Sequence, residues 1–380
     1  MCLIMNNFSN PFVIGKYVSK EYFCDRIAET ELLVHHIKNG RNVTIMSERR
    51  MGKTGLIEHT FANMLPENDY YTFLIDIYTS RNLREMVCQL ANEVYKKIAP
   101  EQSFFSKLTQ IVKSLKTTFS YNGISGDPEI SFSLGDIAKP ETTLDEILSY
   151  LEQSDKPCIL AIDEFQKIAD FEEDNVEALL RTKIQHLKNT QFIFAGSERH
   201  LLEQIFNDPS RPFYNSVTFM QLLPIDRDEY IQFCKKLFSA GDKDVEESLV
   251  EKIYDYFSGV TWYLQLSMNE AYALTLPGTT IGKEQLQTIL THIVDTKRFT
   301  FEDKYATLTE KQKALVKAMA DEYPVPTSAT SKDFIIRHNL KTASTVQTAM
   351  RGLMEKGIVC NWRGSRQISD LLFVLWLKNY

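Results

Sequence analysis

The stretch "NVTIMSERRMGKTGLIEHTFANML", from Asn42 to Leu65, constrains the fold of this chain more than any other. A short β-rich run, Asn42 to Met46, leads directly into a polar loop. Behind the loop, Leu56, Ile57, Phe61 and Leu65 recur at the spacing of a buried helix face. The loop, "SERRMGKT", ends in Gly52, Lys53 and Thr54, the second half of the pattern G-x-x-x-x-G-K-[ST]. In that pattern backbone N–H groups wrap phosphates, the lysine reaches the outer ones and the hydroxyl binds Mg²⁺. Ser47 stands where the first glycine belongs. A serine can take that place provided its φ stays negative, so the charge-specific residues Lys53 and Thr54 decide the reading.

The same strand and helix alternation continues. Apolar runs at Tyr70 to Tyr78, Pro157 to Asp163, Gln191 to Ser197 and Val217 to Leu223 are separated by helical stretches such as "NLREMVCQLANEVYKKI". Runs without alternation predict a parallel sheet covered on both faces, with ligands bound at the carboxyl ends of its strands. "CILAIDEFQ" places Asp163 and Glu164 at such an end. An acid pair there can cap the following helix. Beside a phosphate-binding loop, the first acid is suited to hold Mg²⁺ and the second to orient or deprotonate an attacking water.

Composition sets the outer limits. With 380 residues, 43% hydrophobic and 24% charged, the chain can bury two or three domains. No apolar run is long enough to cross a bilayer and the opening "MCLIMNNFSNPF" has no leader pattern, so a cytoplasmic protein with no membrane partner is expected. Six cysteines are scattered without C-x-x-C spacing, which predicts reduced thiols and no structural metal. A net charge of −7 argues against indiscriminate nucleic-acid binding by the whole chain. From Phe301 onward, however, twelve Lys and Arg stand against eight Asp and Glu.

These motifs resemble the archaeal-type ATPase family of the P-loop STAND/AAA-like class. Its loop commonly reads G-P-R-R-x-G-K-[ST], matched by Arg49, Arg50, Gly52, Lys53 and Thr54, while Ser47 and Glu48 depart from it. Its upstream F-x-[GD]-R-E-x-E motif is similar to Phe23, Asp25, Arg26 and Glu29, near the nucleotide base, with Ile27 in place of an acid. "DEFQ", Asp163 to Gln166, is characteristic of the family, and "AGSERHLLEQIF" resembles its sensor strand, with Ser197 facing the γ-phosphate. "FSGVTWYLQ" resembles a lid helix start whose proline region is replaced by Thr261 and Trp262.

The resemblance implies ATP and Mg²⁺ as cofactors. Ser47, Glu48, Arg49, Arg50, Met51, Gly52, Lys53, Thr54, Gly55, Asp25 and Arg26 would bind nucleotide, Thr54 and Asp163 the metal, and Glu164, Lys53, Ser197 and Arg211 would carry the chemistry. Arg199 and Arg211 are alternative transition-state arginines, and either also suits an ordinary surface ion pair.

Residues 1–224 would form the ATPase core, an α/β P-loop NTPase parallel sheet. An insertion at about 100–140 carries a hairpin pattern, suited either to docking or to a flap on the core. Helical patterns such as Tyr230, Phe233, Leu237 and Leu249, Ile253, Phe257 predict a lid over 225–297. Residues 298–380 follow winged-helix order, from a Thr309 cap through three helices to a hairpin around Arg363, Gly364 and Ser365. Its closing segment matches the family's at Asp370, Leu372, Phe373, Trp376 and Leu377.

The third of those helices would present Thr342, Ser344, Thr345, Gln347, Thr348 and Arg351 to duplex DNA, with Arg363 and Arg366 at phosphates; a protein partner fits the same surface. Two functions follow: an ATP-hydrolysing switch read out by the winged helix, or a nucleotide-independent DNA-binding regulator with a degenerate loop. Oligomeric state is left open.

Overall fold

The computed structural model of the chain describes residues 10–98, 118–121, 128–131, 133–324, 328–362 and 364–379. Two compact units are present, Lys16–Leu223 and Pro224–Tyr380, with residues 10–15 belonging to the latter.

The first unit is built on strands β1 (Val43–Met46), β2 (Tyr71–Asp76), β5 (Cys158–Asp163), β6 (Thr190–Gly196) and β7 (Thr218–Gln221), in the order β2-β5-β6-β1-β7. Every neighbouring pair in this sheet is parallel. The four residues of β1 and the six of β5 are buried without alternation, as strands covered on both faces must be. The second apolar run ends as a strand earlier than Tyr78, because Asp76 Oδ1 accepts a hydrogen bond from the Tyr78 backbone N–H at 2.8 Å and turns the chain.

Helices Lys53–Met64, Leu83–Ile98, Pro140–Glu152, Val176–Ile184 and Arg199–Asn207 accompany the sheet. Part of the core is aromatic: Phe165, Phe192, Phe194, Phe206 and Phe213 pack with ring centroids 4.3 to 5.8 Å apart. Within the insertion, β3 (Thr118–Tyr121) pairs antiparallel with β4 (Pro128–Ser131). The remainder of the expected hairpin and most of the insertion lie outside the described residues.

The second unit begins with four longer helices, Arg227–Ala240, Glu247–Tyr256, Thr261–Leu274 and Leu286–Asp295, and a two-residue parallel ladder between β8 (Asp244–Val245) and β9 (Thr280–Ile281). Phe12 packs against Phe238 and Tyr272, the Asn10 side chain donates to the Asn269 carbonyl and the Asn269 side chain donates to the Phe12 carbonyl, which is why residues 10–15 belong here.

Helices Arg298–Ala306, Glu310–Glu322, Lys332–Arg337 and Ala343–Glu355 follow. A hairpin of β10 (Val359–Trp362) and β11 (Ser365–Ile368) then leads into a final helix, Leu371–Asn379. Thr309 caps its helix as expected, in a reciprocal box with Gln312. Among the described residues Cys24, Cys88, Cys158, Cys234 and Cys360 are not joined in disulfides. Among the described residues no helix is long and apolar enough to cross a membrane.

The helix Arg227–Ala240 depends on its first turn, where Asp226 accepts from the backbone N–H groups of Asp228 at 2.9 Å and Glu229 at 3.1 Å. Asp226→Ala is expected to destabilise this unit by about 1 kcal/mol in urea denaturation, because two helix donors lose their partner. An unchanged midpoint would show that the cap contributes nothing.

Candidate functional site

The carboxyl ends of four strands converge on one edge of the sheet. Met46 of β1 is in register with Gly196 of β6, and Asp163 of β5 with Asp76 of β2. The loop after β1 and the acids at the end of β5 therefore meet although they are far apart in sequence. Thr54 Oγ1 donates to Asp163 Oδ2 at 2.6 Å, and Asp163 is almost fully buried.

Ser47 is not among the residues with positive φ, and its hydroxyl donates to the Glu48 carbonyl at 2.9 Å. The left-handed positions of the loop are instead Arg50, at φ +69°, and Gly52, at φ +87°. Gly52 has open space where a Cβ would stand, so its conformation rather than crowding favours glycine. Alternation of this kind turns successive N–H groups toward one concavity.

Lys53 begins the following helix with only 6% of its surface exposed. Burial holds its ammonium below the usual lysine range, Asp163 and Glu164 pull it back up, and Arg49 pushes it down again. Arg49 itself lies 5.8 Å from the centre of the Tyr78 ring.

Arg26 is also buried, and both Asp25 and Arg26 are left-handed, at φ +53° and +67°. The Arg26 guanidinium pairs with Glu29 at 2.6 Å and donates to the Met51 carbonyl at 3.4 Å, so it braces the loop from behind. Phe23 packs over Gly55, where a Cβ would lie 3.4 Å from its ring, and stacks on His59 with centroids 4.3 Å apart. Tyr17 closes the group edge-on to both rings, its hydroxyl accepting from Asn63 at 2.7 Å.

Glu164 makes no helix-capping bond. It is left-handed, at φ +56°, and its Oε2 accepts from Ser197 Oγ at 2.8 Å and from Gln166 Nε2 at 2.6 Å.

A model of an ATPase domain predominantly from Archaea matches residues 23–266, and a model of a probable winged helix domain matches residues 299–379. The chain belongs to this ATPase family. Among solved structures, it is similar to the Walker-type ATPase PABY2304 of Pyrococcus abyssi, with a TM-score of 0.64 and 18% identity, covering 97% of this chain and 99% of that one. It is also similar to the ORC2 protein of Aeropyrum pernix, solved as ADPNP-ADP complexes, with a TM-score of 0.55, 11% identity and coverage of 97% and 96%. No curated protein sequence matches the chain. The fold is thus that of a P-loop ATPase with a carboxyl-terminal winged helix.

Within this ATPase domain the arrangement can accept a hard divalent cation. Thr54 and Asp163 offer a hydroxyl and a carboxylate in contact. Asp76, not singled out from the sequence, adds a solvent-exposed residue in register with Asp163: partial desolvation raises its carboxyl above the ordinary value, the hydrogen bond from the Tyr78 N–H lowers it, and Asp163 and Glu164 raise it further. Accumulated negative charge of this kind favours a cation nearby. Among the described residues no group of three or more His, Cys, Asp or Glu side chains forms a complete cage. A Mg²⁺ that takes substrate phosphate oxygens and water needs none.

The two candidate arginines are engaged elsewhere. Arg199 is exposed and pairs with Glu203 one helical turn on, at 2.7 Å. Arg211 pairs with Glu177 at 3.1 Å, and Glu177 is only 9% exposed. Burial raises the Glu177 carboxyl and Arg211 opposes that shift.

Because its folded-state value lies above the unfolded one, Glu177 favours the folded state most at low pH, and that contribution is lost as pH rises through the folded value. Arg211→Ala is therefore expected to destabilise the unit by about 2 kcal/mol at pH 7, allowing for the partly exposed arginine, and by less toward pH 4. Urea melts at the two pH values check this; an equal loss at both would separate the arginine from Glu177.

Proposed function

We propose that this chain is a Mg²⁺-dependent ATP hydrolase whose nucleotide state governs presentation of its winged helix. The observation that carries the reading is the 2.6 Å Thr54–Asp163 hydrogen bond beside buried Lys53, with Glu164 held next to it. A degenerate loop would not need to bury a lysine beside two acids, Asp163 and Glu164.

The loop N–H groups and Lys53 would bind the phosphates, and Thr54 with Asp163 would hold Mg²⁺. Bound Mg²⁺ would neutralise charge on the β- and γ-phosphoryl oxygens. Glu164 would orient a water and take its proton as the water oxygen attacks the γ-phosphorus and the bond to the bridging oxygen breaks, releasing ADP and phosphate. Ser197 would sense the γ-phosphate. Phe23, His59 and Tyr17 offer flat apolar surface near Gly55 for the base.

Coupling has a physical route within the second unit. Tyr263, in the lid helix Thr261–Leu274, donates its hydroxyl proton to Asp370 Oδ1 at 3.1 Å and accepts from the Leu371 backbone N–H at 2.9 Å. It thereby holds the start of the winged helix's last helix. On the winged helix, a cavity of about 640 Å³ lies between the helix Ala343–Glu355 and the hairpin, lined by Thr330, Gln347, Met350, Arg351, Met354 and Arg366 among others, none of them acidic. Its charge suits a duplex DNA backbone. Arg363 lies outside the described residues.

Lys53→Ala is expected to weaken Mg·ATP affinity at least tenfold, on the order of 1.4 kcal/mol, by calorimetry. Glu164→Gln should retain ATP while slowing phosphate release by ~10² or more, and Asp163→Ala should damage Mg²⁺-dependent binding as well. Equal effects of the two acid changes on binding would contradict their separate roles.

For the winged helix, replacing Arg351 and Arg366 with alanine in the full chain should flatten the salt dependence of duplex DNA binding by about two in log–log slope. ATP should strengthen DNA binding by the unaltered protein. No retention of DNA at low salt, with or without ATP, would leave protein recognition as the role of this surface.

A further inference from the structure

Gln166 is 1% exposed and directly beside Glu164, yet nothing in the chemistry above uses it. Its Nε2 donates to Glu164 Oε2 at 2.6 Å, the same oxygen that accepts from Ser197 at 2.8 Å. Two donors on one carboxylate oxygen fix the plane of the group and leave Oε1 clear of both. The other end of the amide, Gln166 Oε1, is buried without a partner. An orphaned acceptor in a buried site is unfavourable and calls for a reason.

Gly196 supplies the seat. A Cβ at Gly196 would lie 2.0 Å from Gln166 Oε1 and 3.1 Å from its Cδ, so only the bare end of β6 leaves room for the amide. Gly196 immediately precedes Ser197, and the two adjacent residues serve the same carboxylate from one strand end. One admits the amide and the other supplies the hydroxyl.

We propose that Gln166 is a positioning residue for hydrolysis: seated on Gly196, its amide holds Glu164 Oε2 together with Ser197, so that Oε1 is presented to the attacking water in a fixed orientation. The inference rests on Glu164 acting as the base. A donor acting through Glu164 alone affects the chemical step and leaves nucleotide binding unchanged, because no bond from Gln166 reaches the phosphate loop or Lys53 among those described.

The test is made on the full chain with Mg·ATP. Gln166→Met keeps length and volume and removes the donor. It is expected to lower kcat about tenfold or more with KM and calorimetric ATP affinity within twofold of wild type. Gly196→Ala, which displaces the amide without altering it, should reproduce that split. Because amide and hydroxyl hold one oxygen, Gln166→Met in a Ser197→Ala background should change kcat by a smaller or larger factor than in wild type, not by the same factor.

Glu164→Gln serves as the reference. If it turns over like wild type, Glu164 is not the base and the inference falls with that reading. If it is inactive while Gln166→Met keeps kcat within twofold, only the role of Gln166 is overturned. Parallel loss of ATP affinity and thermal stability in both Gln166→Met and Gly196→Ala would likewise overturn it, leaving a packing role.

Discussion

The contact between Thr54 and Asp163 joins the first residues of one helix to the last residue of a strand 109 positions away, and the whole edge of the sheet is arranged around it. The bond requires β1 and β5 to end at the same height with β6 between them, which the parallel register provides. It also sets the electrostatics. Lys53 is buried at a place where only nearby acids can sustain a charged ammonium, and Asp76 is raised partly by those same acids. A cation and a polyanion entering together would relieve both imbalances, which is the electrostatic logic of a nucleotide site assembled from a loop and a strand end.

Much of this was legible before any coordinates. Five apolar runs without alternation marked the five sheet strands, because strands buried on both faces cannot hide their composition. The loop ending in Gly52, Lys53 and Thr54 and the acids at the end of β5 stand out in the sequence because the patterns they match restrict residue types at fixed spacing. Asp76 was not, since it interrupts "LIDIY" and gains meaning only from its register with Asp163. Gln166 belongs to the DEFQ motif, but its seat against Gly196, a neighbour in space, is something no spacing reveals. His59 and Tyr17 were missed for the same reason, and Arg26 holds a backbone carbonyl, which leaves no trace in side-chain patterns. The candidate arginines illustrate the converse: residue type fits, while the partners of Arg199 and Arg211 are decided by local packing.

The second unit shows how a departure from a motif can leave its neighbour as the structural residue. Thr261 and Trp262 stand at the proline region of the family motif that this segment resembles, and the next residue, Tyr263, stacks on Phe257 and binds both Asp370 and Leu371. Tyr323 adds a second tie, donating to the Tyr256 carbonyl at 2.7 Å. The helices before residue 297 and the winged helix are thus joined by directional bonds as well as apolar packing. The helix Thr261–Leu274 therefore meets the last helix of the winged helix through discrete hydrogen-bond partners and not through apolar packing alone.

The helix Ala343–Glu355 of that domain carries a further constraint. Thr342 caps it, accepting from the Thr345 backbone N–H at 3.2 Å, and its hydroxyl also meets those of Ser344 and Thr345. Thr348 donates back to the Ser344 carbonyl at 3.0 Å. Hydroxyls committed to their own helix have reduced capacity for base edges, because each offers a single proton. Gln347 and Arg351 retain side chains long enough to reach beyond the helix, and Arg366 faces them across the cavity from the hairpin. If this surface meets DNA, most of its contacts would fall on phosphates, and phosphate contacts position a protein without reading sequence. Such an interface would hold a duplex in place without discriminating its sequence, because the helix that faces it has few uncommitted hydroxyls to offer a base edge.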